Sequence, residues 1–277
     1  MATLTSALSV LALLVYLVAA AWFLVQLFRK EGEDAPWPLR VFAGGLALHF
    51  LSRLSHAIEI GGVPTTSASE ALNILALFTG VLFLGLVRKY RVHALGAFAT
   101  PLAAVSLAAS LAFDSGNGDV PAALRSAWFP VHLGSAIMAD ALFVFAAVAG
   151  GAFLVQEKRL RDKNLGPLFR RLPPLHVLDE IMHRLIVGGF LFMTFGMAAG
   201  SYLAKHHWGA YWHWDPRQVI SLMTWLLYAA ILHARLTIGW QGRRAAWVTL
   251  LAGAFVVFSL VGLEVFTSTL HTGAYTR

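Results

Sequence analysis

The chain has 277 residues, 58% of them hydrophobic and only 13% charged, with a mean hydropathy of +0.69 and no cysteine. Soluble domains carry about 25% charged residues, so disorder, collagen-like fibres and disulfide scaffolds are excluded. The missing thiols also remove zinc fingers, iron–sulfur clusters, thiol nucleophiles and a CxxCH attachment box. The net charge of +7 sits in short clusters between long apolar runs, the pattern of a membrane protein and not of a nucleic-acid binder.

About 20 apolar residues cross a bilayer. Eight runs reach that length, near 6–28, 40–59, 69–88, 94–113, 131–156, 183–204, 217–237 and 246–267. Only helices satisfy every backbone group of such runs inside lipid, so the expected fold is all-α, a polytopic bundle of eight transmembrane helices in one domain, 1–277. The first run lacks a positive flank before it and is followed by Arg29 and Lys30. It reads as a retained span and not a cleaved signal.

Basic residues recur after every second run: Arg29, Lys30 and Arg40; Arg88, Lys89 and Arg91; the stretch 157–182 with Lys158, Arg159, Arg161, Lys163, Arg170 and Arg171; then Arg235, Arg243 and Arg244. The positive-inside rule makes these connections cytoplasmic and sets both termini outside. The stretch 157–182 reads as a basic interfacial segment. No Walker loop, HExxH box or internal repeat is found, and the inverted repeats of a secondary transporter are missing.

On the outer side of this map lies Trp208-Gly209-Ala210-Tyr211-Trp212-His213-Trp214-Asp215-Pro216, within an expected loop over 205–216. Trp and Tyr favour the membrane interface, so an aromatic belt is one reading. A dense run in a loop also makes a flat apolar platform with N–H and O–H groups at its edges, suited to a large planar ligand. Asp215-Pro216 reads first as a helix start, Asp as N-cap and Pro at the first helical position.

The string W-G-x-Y-W-x-W-D-P, followed by Trp225, Tyr228 and Leu232-His233-Ala234-Arg235, resembles the WWD signature of haem-handling proteins of cytochrome c assembly, above all the CcsA (ResC) family of the system II pathway. Pro130-Val131-His132, Leu270-His271-Thr272-Gly273-Ala274-Tyr275 and, weakly, Gly62-Val63-Pro64 with Glu70 add to the resemblance. Where that family commonly has Lys-Glu after the Asp-Pro, this chain has Arg217-Gln218.

The resemblance implies haem b as bound substrate on the outer face, with His132 and His271 as its iron ligands. It implies Trp208, Tyr211, Trp212, Trp214 and Asp215 as the surrounding loop, and His233 as a ligand of a second haem within the membrane. It also implies a bacterial inner-membrane location, a CcsB (ResB)-type membrane partner and an apocytochrome c with a CxxCH motif. The chain is then a component of a cytochrome c synthase, with no catalytic residue identified. The competing reading is a HemX-like regulator of haem metabolism, against which the intact WWD loop speaks.

Two imidazoles on one iron must lie about 4 Å apart, twice the usual metal–imidazole bond. His233 lies roughly 24 Å below the outer start of its helix at 1.5 Å per residue, and an ionisable residue at that depth is a functional candidate. His49 is expected at a different depth, so a ligand from another subunit is considered for His233. His206, His207 and His213 flank the platform as surface residues, and His56, His93, His176 and His183 are placed at helix ends. Asp140 and Glu264 are expected to face inward, paired or protonated.

Overall fold

The computed structural model describes residues 2–28, 37–63, 67–112, 126–163 and 165–266, with the side chains of 2, 3, 68 and 260–266 outside the description. The elements are α1 (Ala2–Phe28), α2 (Trp37–Ile60), α3 (Ala68–Tyr90), α4 (Gly96–Ala112), α5 (Trp128–Arg161), α6 (Pro167–Arg171), α7 (Leu175–Trp208), α8 (Pro216–His233) and α9 (Arg243–Phe266). A 3-10 turn, His93–Leu95, precedes α4, and a π-helical turn, Ala234–Ile238, follows α8. Among the described residues there is no strand, and seven helices are long and apolar enough to cross a membrane. The remaining long helix, α9, covers the eighth apolar run. An all-α polytopic membrane protein is thus what the chain builds.

Two helices overrun their apolar windows by several residues. The helix α5 continues to Arg161, and α7 starts at Leu175 and ends at Trp208. Hydropathy measures how much of a helix lipid tolerates, and a helix does not stop where its apolar stretch stops. His183, expected at a helix end, therefore lies two turns inside α7. Pro173-Pro174 sets that start, because a residue before proline is kept out of the α region. Elsewhere local chemistry sets the ends. Ser67 and Glu70 form a reciprocal capping box on α3, and Arg91 closes that helix in the left-handed conformation at φ 56°.

Read from sequence as one domain, the chain divides into two compact units, Met1–Gly116 with Lys158–Pro174, and Asn117–Glu157 with Leu175–Arg277. In the first unit, Tyr16, Phe42, Phe83 and Phe23 form an aromatic layer with ring centroids 5.0–5.5 Å apart. Beside it runs a chain of polar groups across α1 to α4. Tyr16 donates its hydroxyl to His49 Nδ1 at 3.2 Å, and His49 Nε2–H donates to Asn73 Oδ1 at 2.6 Å. Asn73 Nδ2 then donates to Ser110 Oγ at 3.0 Å, while Ser69 donates to the Ser110 carbonyl at 2.7 Å. Ser9 with Ser52 at 2.6 Å and Thr5 with Ser55 at 3.0 Å continue the seam between α1 and α2. Helices in lipid gain little from burying apolar area, so small residues and interhelical hydrogen bonds of this kind hold them together.

In the second unit, Phe143 of α5 stacks on Tyr228 of α8 with centroids 3.5 Å apart and planes 8° apart. Trp225 stacks on Phe190 at 5.2 Å and donates its indole N–H to Thr194 Oγ1 at 2.8 Å, tying α8 to α7. Trp225 and Tyr228 are thus packing residues of the unit.

Candidate functional site

His132 lies in the second turn of α5. Its Nδ1–H donates to the backbone carbonyl of Gly196 in α7 at 2.8 Å. The ring reaches that carbonyl because two glycines one turn apart leave a notch in α7. A Cβ on Gly200 would stand 2.7 Å from Cε1 and 2.8 Å from Nδ1 of the imidazole, and one on Gly196 would stand 3.3 Å from the Ala136 nitrogen. With Nδ1–H committed to a carbonyl, the lone pair is on Nε2, the arrangement of a metal-ligating histidine with its outer-shell partner in place. The spacing Gly196-x-x-x-Gly200 is a legible sign of close helix approach that the sequence reading passed over.

The aromatic loop is shorter than the expected 205–216. Lys205 to Trp208 form the last turn of α7, so Trp208 is a helical residue, and the loop proper is 209–215. Gly209 turns the chain at φ 83° and Trp214 adopts φ 48°. The loop is braced to its flanking helices through Lys205, Trp208 and Gln218. Lys205 Nζ donates to the Gly209 carbonyl at 2.9 Å and lies 5.6 Å from the Tyr211 ring centre. His213 Nε2–H donates to the Trp208 carbonyl at 3.3 Å, and the two rings meet edge to face at 5.7 Å. The His213 backbone N–H donates to Gln218 Oε1 at 2.8 Å. Gln218, one of the two departures from the family pattern, therefore has a place: it anchors the loop to the first turn of α8.

Asp215 is buried and accepts the Arg217 N–H at 2.9 Å as N-cap of α8, with Pro216 at the first position. The capping role read from sequence is the one observed. Trp212 and Trp214 meet at right angles, 5.6 Å apart, and Trp214 is 78% exposed, Tyr211 62%. Side chains this large and this open, on a loop so firmly braced, form a surface and not a core.

A cleft of about 180 Å³ at the same end of the unit is lined by Ser126, Trp128, Tyr202, Leu203, His206 and His207. Ordinary ligand pockets hold roughly 300–1,000 Å³. This cleft is therefore too small to enclose a macrocycle. His206 bonds to Tyr202 at 3.2 Å and is exposed, as is His207. No group of three or more His, Asp or Glu residues able to hold a bare metal ion occurs among the described residues.

The other expected ligands fall differently. His271 lies outside the described residues, and the side chain of Glu264 is also outside. His233 is the last residue of α8 and is exposed, on a face shared with Met223, Leu226 and Ala230. His49, weighed as its partner, has both ring nitrogens engaged inside the first unit, by Tyr16 and Asn73. Glu70 is used twice over, in the capping box of α3 and as acceptor from His56 Nε2 at 3.3 Å. Asp140 lies one helical turn from Phe143 on α5, and Tyr228, stacked there, has a buried hydroxyl with no hydrogen-bond partner among the described residues.

Two residues expected in a basic loop and an interfacial stretch are brought together. Arg235 and Asp179 form a forked ion pair, Nη2 to Oδ2 at 2.8 Å and Nη1 to Oδ1 at 3.3 Å. Nothing in the spacing of 56 residues signals that contact.

Residues 66–271 match the family described as Cytochrome C assembly protein. The chain is 31% identical over 245 residues to the cytochrome c biogenesis protein CcsA of Prochlorococcus marinus (strain NATL2A), covering 77% of each. It is 32% identical over 241 residues to CcsA of Synechococcus sp. (strain RCC307), covering 78% of this chain and 77% of that one. Against CcsA of Gloeobacter violaceus the identity is 27% over 311 residues, covering 93% and 90%. With the WWD loop, the His132 notch and the LHAR end of α8 all within the matched span, the chain belongs to the cytochrome c assembly protein family.

Proposed function

We propose that this chain, acting in cytochrome c biogenesis, binds haem b as a substrate at the tryptophan-rich end of its second unit and presents it to apocytochrome c. The observation that carries the reading is the seat of His132. A ring clamped through Nδ1 in a two-glycine notch, with Nε2 left as the lone-pair nitrogen, is built to donate to iron. His271 supplies the second imidazole, and Trp208, Tyr211, Trp212 and Trp214 supply the apolar face, with Asp215 holding the loop to α8. His233 ligates a second haem on the exposed face of α8, where the other ligand comes from outside this chain. The tryptophan-rich end faces the outer side of a bacterial inner membrane, and so do both termini. Attachment adds a cysteine S–H of the CxxCH motif across each vinyl group, and this cysteine-free chain contributes position, not a thiol.

An absorption spectrum of the purified chain tests the reading directly: a Soret band is expected, and apoprotein from haem-replete cells overturns it. The tryptophans act by packing on the macrocycle. Trp212→Ala and Trp214→Ala should each lower haem retention by up to about tenfold, the worth of roughly 0.5–1.5 kcal/mol of aromatic contact. Protein abundance should stay nearly constant, since Trp214 is so exposed; a parallel loss of folded protein would mark a membrane belt instead.

The partner is a CcsB-type membrane protein with a large external domain, because a loop as short as 209–215 cannot form a folded core of its own around an apocytochrome. A reporter cytochrome c in a host stripped of every other assembly factor should stay immature with this chain alone, and mature when the partner is added. Maturation without the partner sinks this part of the proposal.

A further inference from the structure

The end of α8 alternates sharply between two faces. Thr224, Tyr228, Ile231 and Leu232 are buried, whereas Met223, Leu226, Ala230 and His233 are exposed. Directly after His233 the helix widens into the π-helical turn Ala234–Ile238, closed by Gly239 at φ 76°, with the Trp240 N–H bonded to the Ala234 carbonyl at 3.1 Å. Such turns are rare and are found frequently at functional sites. Something outside the turn must hold it.

That something is one carboxylate on α7. Asp179 accepts from Arg235 through both oxygens, at 2.8 and 3.3 Å, and its Oδ1 also accepts the Gly242 N–H at 3.0 Å. Arg235 and Asp179 are 6% and 19% exposed, so the pair is largely out of water. The carboxylate thereby fastens both sides of the bend between α8 and α9, residue 235 before it and residue 242 after it. Stability alone is a poor reason for such a pair, because apolar replacements of buried ion pairs are often neutral or stabilising. A forked, directional contact does something an apolar one cannot: it sets rotation as well as distance. Each residue of an α-helix turns about 100°, so slipping the last turn of α8 by one residue would carry His233 into the α7–α8 contact and push Leu232 out.

We infer that the Arg235–Asp179 pair, with the Gly242 N–H, is a positioning device that holds the last turn of α8 in the rotation projecting His233 from its exposed face. This rests on His233 being an iron ligand. It explains why the motif joins histidine to arginine two residues on: the two side chains leave opposite sides of the helix, one to the ligand and one to the clamp.

The test uses the full chain, purified with the haem it carries from the membrane, in wild-type form and as His233→Ala, Asp179→Asn, Arg235→Lys and the charge-reversed pair Asp179→Arg with Arg235→Asp. Low-spin haem signals are read by electron paramagnetic resonance and absorption, and hydrogen exchange is read over residues 232–242. His233→Ala should remove one low-spin component. Asp179→Asn and Arg235→Lys should convert that same component to a high-spin form that added imidazole returns to low spin. They should also speed exchange over 234–242 by tenfold or more and leave the His132-dependent signal unchanged. The charge-reversed pair should recover part of the low-spin signal. If Asp179→Asn fails to accumulate, Arg235→Lys decides the matter, since it keeps the charge and loses only the fork. An unchanged low-spin component in Arg235→Lys, with His233→Ala removing it, overturns the positioning role alone. No effect of His233→Ala on any haem signal overturns the ligand reading and the inference together.

Discussion

Replacing His132 by alanine is expected to abolish the haem signal of the tryptophan-rich end. The loss should exceed the roughly 10–100-fold that follows from removing an outer-shell partner of a metal ligand, because here the donor itself goes. Imidazole added in solution should enter the vacated notch between α5 and α7 and restore part of the Soret band. The socket predicts a second, independent variant. Gly200→Ala places a methyl group 2.7 Å from Cε1 of the ring, so the imidazole must leave the Gly196 carbonyl or α7 must move. Haem affinity should then fall by about 10–100-fold while His132 remains in the sequence. A wild-type spectrum from both variants would remove His132 from the site.

The second large effect falls in the other unit. His49→Ala should cost about 3 kcal/mol or more, because the substitution leaves both the Tyr16 hydroxyl and the Asn73 carbonyl oxygen buried without their partner. One orphaned buried polar group costs about 1–3 kcal/mol, and the missing ring adds a cavity. At roughly 2–4 °C per kcal/mol the Tm should drop by about 6–12 °C. Ser110→Ala, at the far end of the same chain of bonds, leaves only the Asn73 amide without a partner and opens little space, a cost of about 1 kcal/mol that should lower Tm by only about 2–4 °C. Equal and small shifts for the two variants would show that the polar seam contributes little.

Both predictions rest on contacts that no window of sequence displays. From sequence His49 is a candidate iron ligand, because a histidine within a membrane span is a functional candidate. Its neighbours on α1 and α3, 33 and 24 residues away, turn it into the centre of a hydrogen-bonded seam. Arg235 read as one more cytoplasmic charge, and Asp179 as part of an interfacial stretch, until the fold set them 2.8 Å apart. Gln218 looked like the loss of an acid and proves to be the acceptor that anchors the aromatic loop. His132 was identified through its motif, but its readiness to donate comes from Gly196 and Gly200 on another helix.

Elements that are closed within themselves can be read along the chain. Long apolar runs become helices because each such segment satisfies its own backbone hydrogen bonds in lipid. Asp215-Pro216 begins α8 because an N-cap and a fixed proline φ act over two or three residues. The motif spanning Trp208 to Arg235 carried the family with it. Tertiary structure alone decided which face of each helix is covered, where helices run past their apolar windows, and which buried polar groups meet. The reason is that one residue of helical rotation changes a side chain's direction by about 100°. That rotation is set by glycine notches and interhelical bonds between residues tens of positions apart, and a linear pattern does not record it.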